Sequence, residues 1–171
     1  SADFSFGNLK STDFSLNADR VELNATAWID SHSQFNINSY KVQADSASLE
    51  NSGWVFGYGD LEFSELSLTD SRMYSLENTI SSGSLSLAGS QLLSDQLIIT
   101  ADSILTQSSQ LQGQLLNLTA DSADFSNTIL AANHLGVAAD LTLSADSLAL
   151  ATDDIAISGS ELKLHGVIKT D

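Results

Sequence analysis

Cysteine and proline are both missing from this 171-residue chain. Without cysteine there is no disulfide, no thiolate nucleophile and no cysteine-ligated zinc. The absence of proline, where globular domains carry ~5 %, suits a chain made mostly of strand, because proline removes a ladder donor. Positive charge is scarce too. Six Lys and Arg face 22 Asp and Glu, for a net charge of −16, and no Lys or Arg occurs from Met73 to Leu162. Nucleic-acid phosphates need neutralising cations, and anionic membrane surfaces repel such a chain. A solvated acidic surface, a cation or a basic partner suits it. No apolar run approaches the ~20 residues that span a bilayer as a helix, so membrane insertion is not expected. A charged-then-apolar leader and an initiating Met are also absent, so the chain reads as a processed piece or excised segment of a longer protein.

What is present is repetition. Related ten-residue stretches begin at Ala101, Ala120 and Ala139, nineteen residues apart. A wider pattern runs apolar-x-apolar-x-small, two variable residues, then apolar-x-apolar. It covers Phe14–Leu23, Tyr40–Leu49, Leu97–Thr106, Leu116–Phe125 and Leu141–Leu150, with looser copies from Leu66, Leu85 and Ile155. Period-two alternation puts Leu116, Leu118 and Ala120 on one face. If the Asp-Ser step that follows bends the chain and shifts the phase by one residue, Ala123 and Phe125 turn inward as well; a straight strand would turn them outward. Asp and Ser suit such corners because their side chains bond nearby backbone N–H groups.

These features predict an all-β fold: a single parallel β-solenoid (β-helix) of roughly 20 residues per coil, one domain over residues 1–171. The small position recurs at 18, 44, 70, 89, 101, 120, 145 and 159. On this reading the widest gaps are each one full coil, and the shortest are two corners of one coil. Helical periodicity is not sustained; only Thr128–Gly136 reads as a possible short helical turn. A β-sandwich is the structural rival, but its hairpins favour Asn-Gly or Asp-Gly turns, and neither dipeptide occurs.

Leu/Ala alternation with Ser/Asn/Gly-rich corners, as in Ser82–Ser103, resembles the repeats of filamentous-haemagglutinin-type adhesins exported by two-partner secretion in Gram-negative bacteria. That resemblance implies a right-handed β-helical shaft, extracellular or on the cell surface, with a structural or adhesive role. The runs Ala2–Leu16 and Gly59–Asn78 also resemble pentapeptide-repeat proteins, a family that includes acidic rods mimicking DNA and binding basic proteins. A third resemblance, to AsmA-type periplasmic proteins, implies a lipid-conveying β-groove. In each case the expected partner is a protein, glycan or lipid and not nucleic acid.

No motif points to an enzyme. Thr152–Gly159 resembles the paired-aspartate segment of pectin-cleaving β-helical hydrolases, which work with two carboxylates. However, Asp153 and Asp154 are sequence neighbours and in a strand would face opposite ways. The required Gly-His-Gly and the distant basic pair are also missing. His32, His134 and His165 lack zinc-ligand spacing and read as surface or rim residues. Asp19, Asp45, Asp102, Asp121 and Asp146 hold equivalent places in the repeat. Stacked, they would form a ladder of like charge, either solvated or bridged by calcium through oxygen ligands; Asp102, Asp121 and Asp146 are the candidate ligands. No other cofactor is expected. Trp54, Phe56 and Tyr58, in the segment WVFGYG, are the candidate binding platform for a protein or glycan surface.

Overall fold

The computed structural model describes residues 2–170, without the side chains of Ala2, Asp3 and Phe6. Strands follow one another with minimal connections: β1 (Ala2–Thr12), β2 (Ser15–Ser31), β3 (Gln34–Glu50), β4 (Gly53–Thr69), β5 (Arg72–Ala88) and β6 (Gln91–Gln107). Then come β7 (Gln110–Gln112), β8 (Leu115–Ser126), β9 (Ile129–Leu143), β10 (Leu148–Ser158), β11 (Leu162–Leu164) and β12 (Val167–Thr170). Every pairing is parallel, and β1 through β6 stack in sequence order. The chain is thus a parallel β-solenoid of about 9 turns at roughly 19 residues per turn. Thr128–Gly136, read from the sequence as a possible helical turn, instead enters β9, where Leu130 and Leu135 are buried.

The register shows how one interior is built. Phe35 pairs with Trp54, Tyr40 with Gly59 and Ala47 with Leu66, each nineteen residues on. The ladder skips 38 and 57, and again 45 and 64. At each skip the buried positions change parity, from Phe35 and Ile37 to Tyr40, Val42 and Ala44, then to Ala47 and Leu49. Each skip is therefore a corner. The Ala44-Asp45-Ser46 step makes the bend expected of it, and residues on both sides of it pack into a shared core.

The third corner is a two-residue turn. Its first residue has a left-handed backbone in coil after coil: Asp13, His32, Asn51, Asp70, Gly89, Ser108 and Asn127, with φ between 46° and 61°. Asn, Asp and Gly tolerate that region best, and Gly89 fits where an added Cβ would stand 2.2 Å from the Asp70 carboxylate. The residue that follows is the exposed Phe14 in the first of these coils and is buried in the rest, as Ser33, Ser52, Ser71, Ser90, Ser109 and Thr128, with Ser147 in the equivalent place one coil on. These hydroxyls form a spine. The backbone N–H of Ser52 donates to Ser71 Oγ at 3.1 Å, and that of Ser71 to Ser90 Oγ at 3.1 Å. Ser33, Ser71, Ser90, Ser109 and Thr128 in turn donate to the carbonyl two residues back, as Ser90 does to Ala88 at 3.0 Å, whereas Ser52 donates to Asp30 at 2.6 Å and Ser147 to the Phe125 carbonyl at 2.9 Å. Buried backbone groups at a tight turn need such partners.

The constant coil also explains the uneven spacing of the small positions. Position 18 precedes the first corner and position 44 the second, while 70 lies in the third. The widest gaps therefore span a coil plus one side and are not single coils. One local pattern, apolar alternation into a small or Asp-containing step, serves all three corners. The last coils depart from the period: the register shifts between Thr119 and Ser122 and between Ala151 and Asp154.

The interior is mainly apolar, and among the described residues two of its buried polar side-chain atoms lack a hydrogen-bond partner. Asn78 is 2 % exposed and its Oδ1 has no hydrogen-bond partner. The next two coils place Leu97 and Leu116 in its column. Trp54 Nε1 is likewise unpartnered. Asn78→Leu removes an unsatisfied buried amide oxygen and should raise stability by about 1 kcal/mol; a fall in thermal midpoint would show that the Asn78 amide contributes more than its shape. Ser71→Ala strands the Ser52 N–H and should cost about 1–3 kcal/mol, read as a lowered midpoint by circular dichroism. An unchanged midpoint would remove the hydroxyl spine as a stabilising element.

Candidate functional site

The candidate platform splits between core and surface. Trp54 and Phe56 are 1 % and 4 % exposed, whereas Tyr58 is 51 % exposed. Alternation forces this: Trp54 and Phe56 occupy inward positions of β4, and Tyr58 follows the first corner on an outward one. Trp54 stacks on Trp28 with ring centroids 4.8 Å apart and meets Phe35 and Tyr40 edge-on. Trp28 is registered on Ala47, whose small side chain leaves room in the coil between the two tryptophans. Burial drives the Tyr40 hydroxyl's pKa well above its ordinary value, with the Asp30 carboxylate adding to the effect. WVFGYG is thus mostly core, and the expectation of a three-residue display platform is corrected.

The exposed surface beside Tyr58 is formed by the first side and first corner of β4 and β5, with Tyr58 itself opening the second side. Val55 is registered beside Tyr74, and Tyr74 beside Leu93. Leu76 sits at the corner next to Gly57, diagonal to Tyr58. Val55, Tyr74 and Leu76 are 50 %, 41 % and 52 % exposed. Shallow depressions flank this patch. One, of about 430 Å³, is lined by Asn36, Asn38, Val55 and Gly57 among others; a second, of about 380 Å³, by Tyr74, Leu93, Asp95 and Gln112 among others. Gly57 is needed for the close approach, because a Cβ there would stand 2.7 Å from the Asn38 carbonyl oxygen. The sequence analysis did not single out Tyr74 or Leu76; their position opposite inward Met73 in the alternation was the available signal, and the uneven spacing of the small positions concealed their neighbours.

The corner aspartates are not equivalent. Asp45, Asp102 and Asp121 lie on the second corner, with Asp102 and Asp121 in adjacent coils. Asp19 is on the first corner, where Asn38 Nδ2 donates to it at 3.3 Å. Asp146 is in the third, accepting from Ser144 Oγ at 2.6 Å, a bond that lowers its pKa. The five-membered ladder is therefore corrected to a pair, Asp102 and Asp121, with Asp146 apart, because one repeat pattern falls on all three corners. Among the described residues no group of three His, Asp or Glu side chains converges in a way that could hold a metal. A neighbouring carboxylate, Asp140, instead caps backbone: it accepts from the N–H groups of Ser160 at 2.7 Å and Glu161 at 3.0 Å, and these lower its pKa.

Asp153 and Asp154 do not face opposite ways. The register shift beside them turns both toward His134 on the preceding coil. Asp154 bonds His134 Nδ1, and Asp153 Oδ2 lies 3.4 Å from Nε2. All three are exposed. The hydrogen bond that His134 Nδ1 donates to Asp154 raises the His134 pKa, and both aspartate charges add to it. His32 is the left-handed turn residue of its coil, exposed at the rim.

At the two ends the core is open. Phe4 and Phe14 are 36 % and 46 % exposed around an apolar mouth of about 390 Å³ floored by Trp28, Phe35 and Tyr40. Beside it, buried Asp30 accepts from Ser52 Oγ at 2.6 Å and from Ser11 Oγ. At the other end Leu162, Leu164, Val167 and Ile168 are exposed. Among the described residues no helix is long and apolar enough to cross a membrane.

No protein-family model, curated protein or solved structure matches the chain.

A raised folded-state pKa means that His134 adds stability below its unfolded value of about 6.5, and that this contribution is lost as pH rises through the folded value. NMR titration should place the His134 midpoint above about 6.5, and Asp154→Asn should move it down. A midpoint unmoved by Asp154→Asn would dismiss the ion pair.

Proposed function

We propose that the chain is a rigid segment of a structural or adhesive β-solenoid shaft, carried by a large secreted or cell-surface bacterial protein and presenting an acidic lateral surface for binding. The observation that carries this reading is the uniform parallel stack: β1 through β6 pair in sequence order, each residue with the one nineteen positions on, around one filled interior. Coils of this kind are held by their neighbours and make a stiff, elongated body.

The shaft acts by holding its surface still. About 9 turns stacked at ~4.8 Å give a rod of about 40 Å. Acidic residues on its corners and outward faces, with no Lys or Arg from Met73 to Leu162, repel polyanions and attract cationic partners. The buried columns fill the space between the three sides, from Trp28 and Trp54 to Phe125 and Leu143. A side-open lipid groove would need that space empty, which favours the shaft over it.

Antibody against this segment should label intact cells that carry the full parent protein, and protease added to those cells should abolish the signal. Labelling that appears only after lysis, or survives protease, would overturn the cell-surface assignment.

A further inference from the structure

Most of the strongly exposed large apolar side chains sit at the open ends or stand singly, as Ile29, Ile98, Leu105 and Ile129 do. Val55, Tyr58, Tyr74 and Leu76 are the concentration on the lateral surface. They lie outside the packed interior, so the core does not account for them, and a contiguous exposed apolar patch on a soluble face marks an interaction site.

The surroundings of the patch state its partner's charge. Along the second side of β4 the outward residues after Tyr58 are Asp60 and Glu62, both exposed, before the corner at Ser64. Glu77 is registered beside Tyr58, and Asp95 lines the depression beyond Tyr74. Against these carboxylates stand Lys41, registered beside Asp60, and Arg72, two residues before Tyr74 on the same face. Carboxylates along an extended strand recur every ~6.8 Å on one face, which is the spacing of alternate side chains on an extended ligand. An exposed tyrosine ring flanked by carboxylates attracts a guanidinium or ammonium over its face.

We infer that the surface around the first corner of β4 and β5, formed by Val55, Tyr74 and Leu76 with Tyr58 just past the corner and a rim of Asp60, Glu62 and Glu77, docks an extended polypeptide segment bearing alternating basic and apolar side chains. Its apolar residues cover Val55, Tyr74 and Leu76. Its Arg or Lys side chains lie on Tyr58 and along the carboxylate row. An apolar centre with a charged rim is the anatomy of a protein interface, and the rim governs the rate and selectivity of encounter. Arg72 at the apolar edge and Lys41 on the preceding coil bound the site. The inference deepens the reading of the rod as an acidic display surface, by naming where it binds and what.

The test uses the purified chain and a fluorescein-labelled peptide of alternating arginine and valine, at about 150 mM salt, where exposed charges are screened beyond about 8 Å. Tyr58→Ala with Tyr74→Ala should weaken binding by about tenfold or more. The pair Tyr58→Phe and Tyr74→Phe, which keeps both rings, should retain it. Asp60→Asn with Glu62→Gln should weaken binding and flatten its salt dependence. Asp102→Asn with Asp121→Asn removes the same charge from another corner and should leave affinity within about twofold. All these positions point outward, and unchanged circular dichroism confirms the fold.

Equal loss from the distal aspartate pair would show bulk charge attraction and overturn the site. So would retention of affinity by the alanine pair, or failure of the unaltered chain to bind. Binding of a neutral oligosaccharide at Tyr58 and Tyr74, with none of the peptide, would overturn the partner class. The peptide assay is blind to cellular location, so its failure leaves the shaft assignment standing, and failure of the cell-labelling experiment leaves the docking face standing.

Discussion

A strand sends successive side chains to opposite faces, so a strand of seventeen residues should bury half of them on each side of a sheet. Here β3 buries residues of both parities, Phe35 and Ile37, then Tyr40, Val42 and Ala44, then Ala47 and Leu49. The reconciliation lies in the skipped positions 38 and 45, each of which drops one residue from the ladder and rotates the alternation by half a period. Everything else follows from these two skips and the left-handed turn that closes the coil. They make an enclosed core from a single sheet among the described residues, and they fix which residues are outside.

The same rule explains how function separates from packing along a few residues. In GWVFGYGD the rule sends Trp54 and Phe56 in and Val55 and Tyr58 out. The rings that look like a continuous aromatic surface in sequence divide into a stacked interior around Trp28 and an exposed tyrosine that finds its companions, Tyr74 and Leu76, one coil on. Stacking of equivalent positions, rather than proximity in sequence, assembles the outer face.

Much of this was legible. The phase shift at Ala44-Asp45-Ser46 and Ala101-Asp102-Ser103 could be read directly, because alternating apolar residues resume out of step across it. The third corner was harder to see. Its signal is a left-handed residue followed by Ser or Thr every nineteen positions, as in Asn51-Ser52, Asp70-Ser71 and Gly89-Ser90. It is short, and its first member varies because any residue that tolerates positive φ will serve. The corner aspartates looked alike because every corner wants a residue that can bond its own backbone; only the register tells Asp19, Asp102 and Asp146 apart. The pairing of His134 with Asp153 and Asp154 depends on a register irregularity with no sequence signature.

Pairing between partners nineteen residues apart also has a mechanical side. Each of the inner coils is held by its two neighbours, through ladders such as β3 with β4 and β4 with β5. Tension applied along the rod therefore meets one coil at a time at whichever end it pulls. Each coil that peels away would release roughly 65 Å of extended chain, while the rest stay folded. A tether made this way lengthens in steps under load, absorbs work with each step, and can wind back when the pull relaxes.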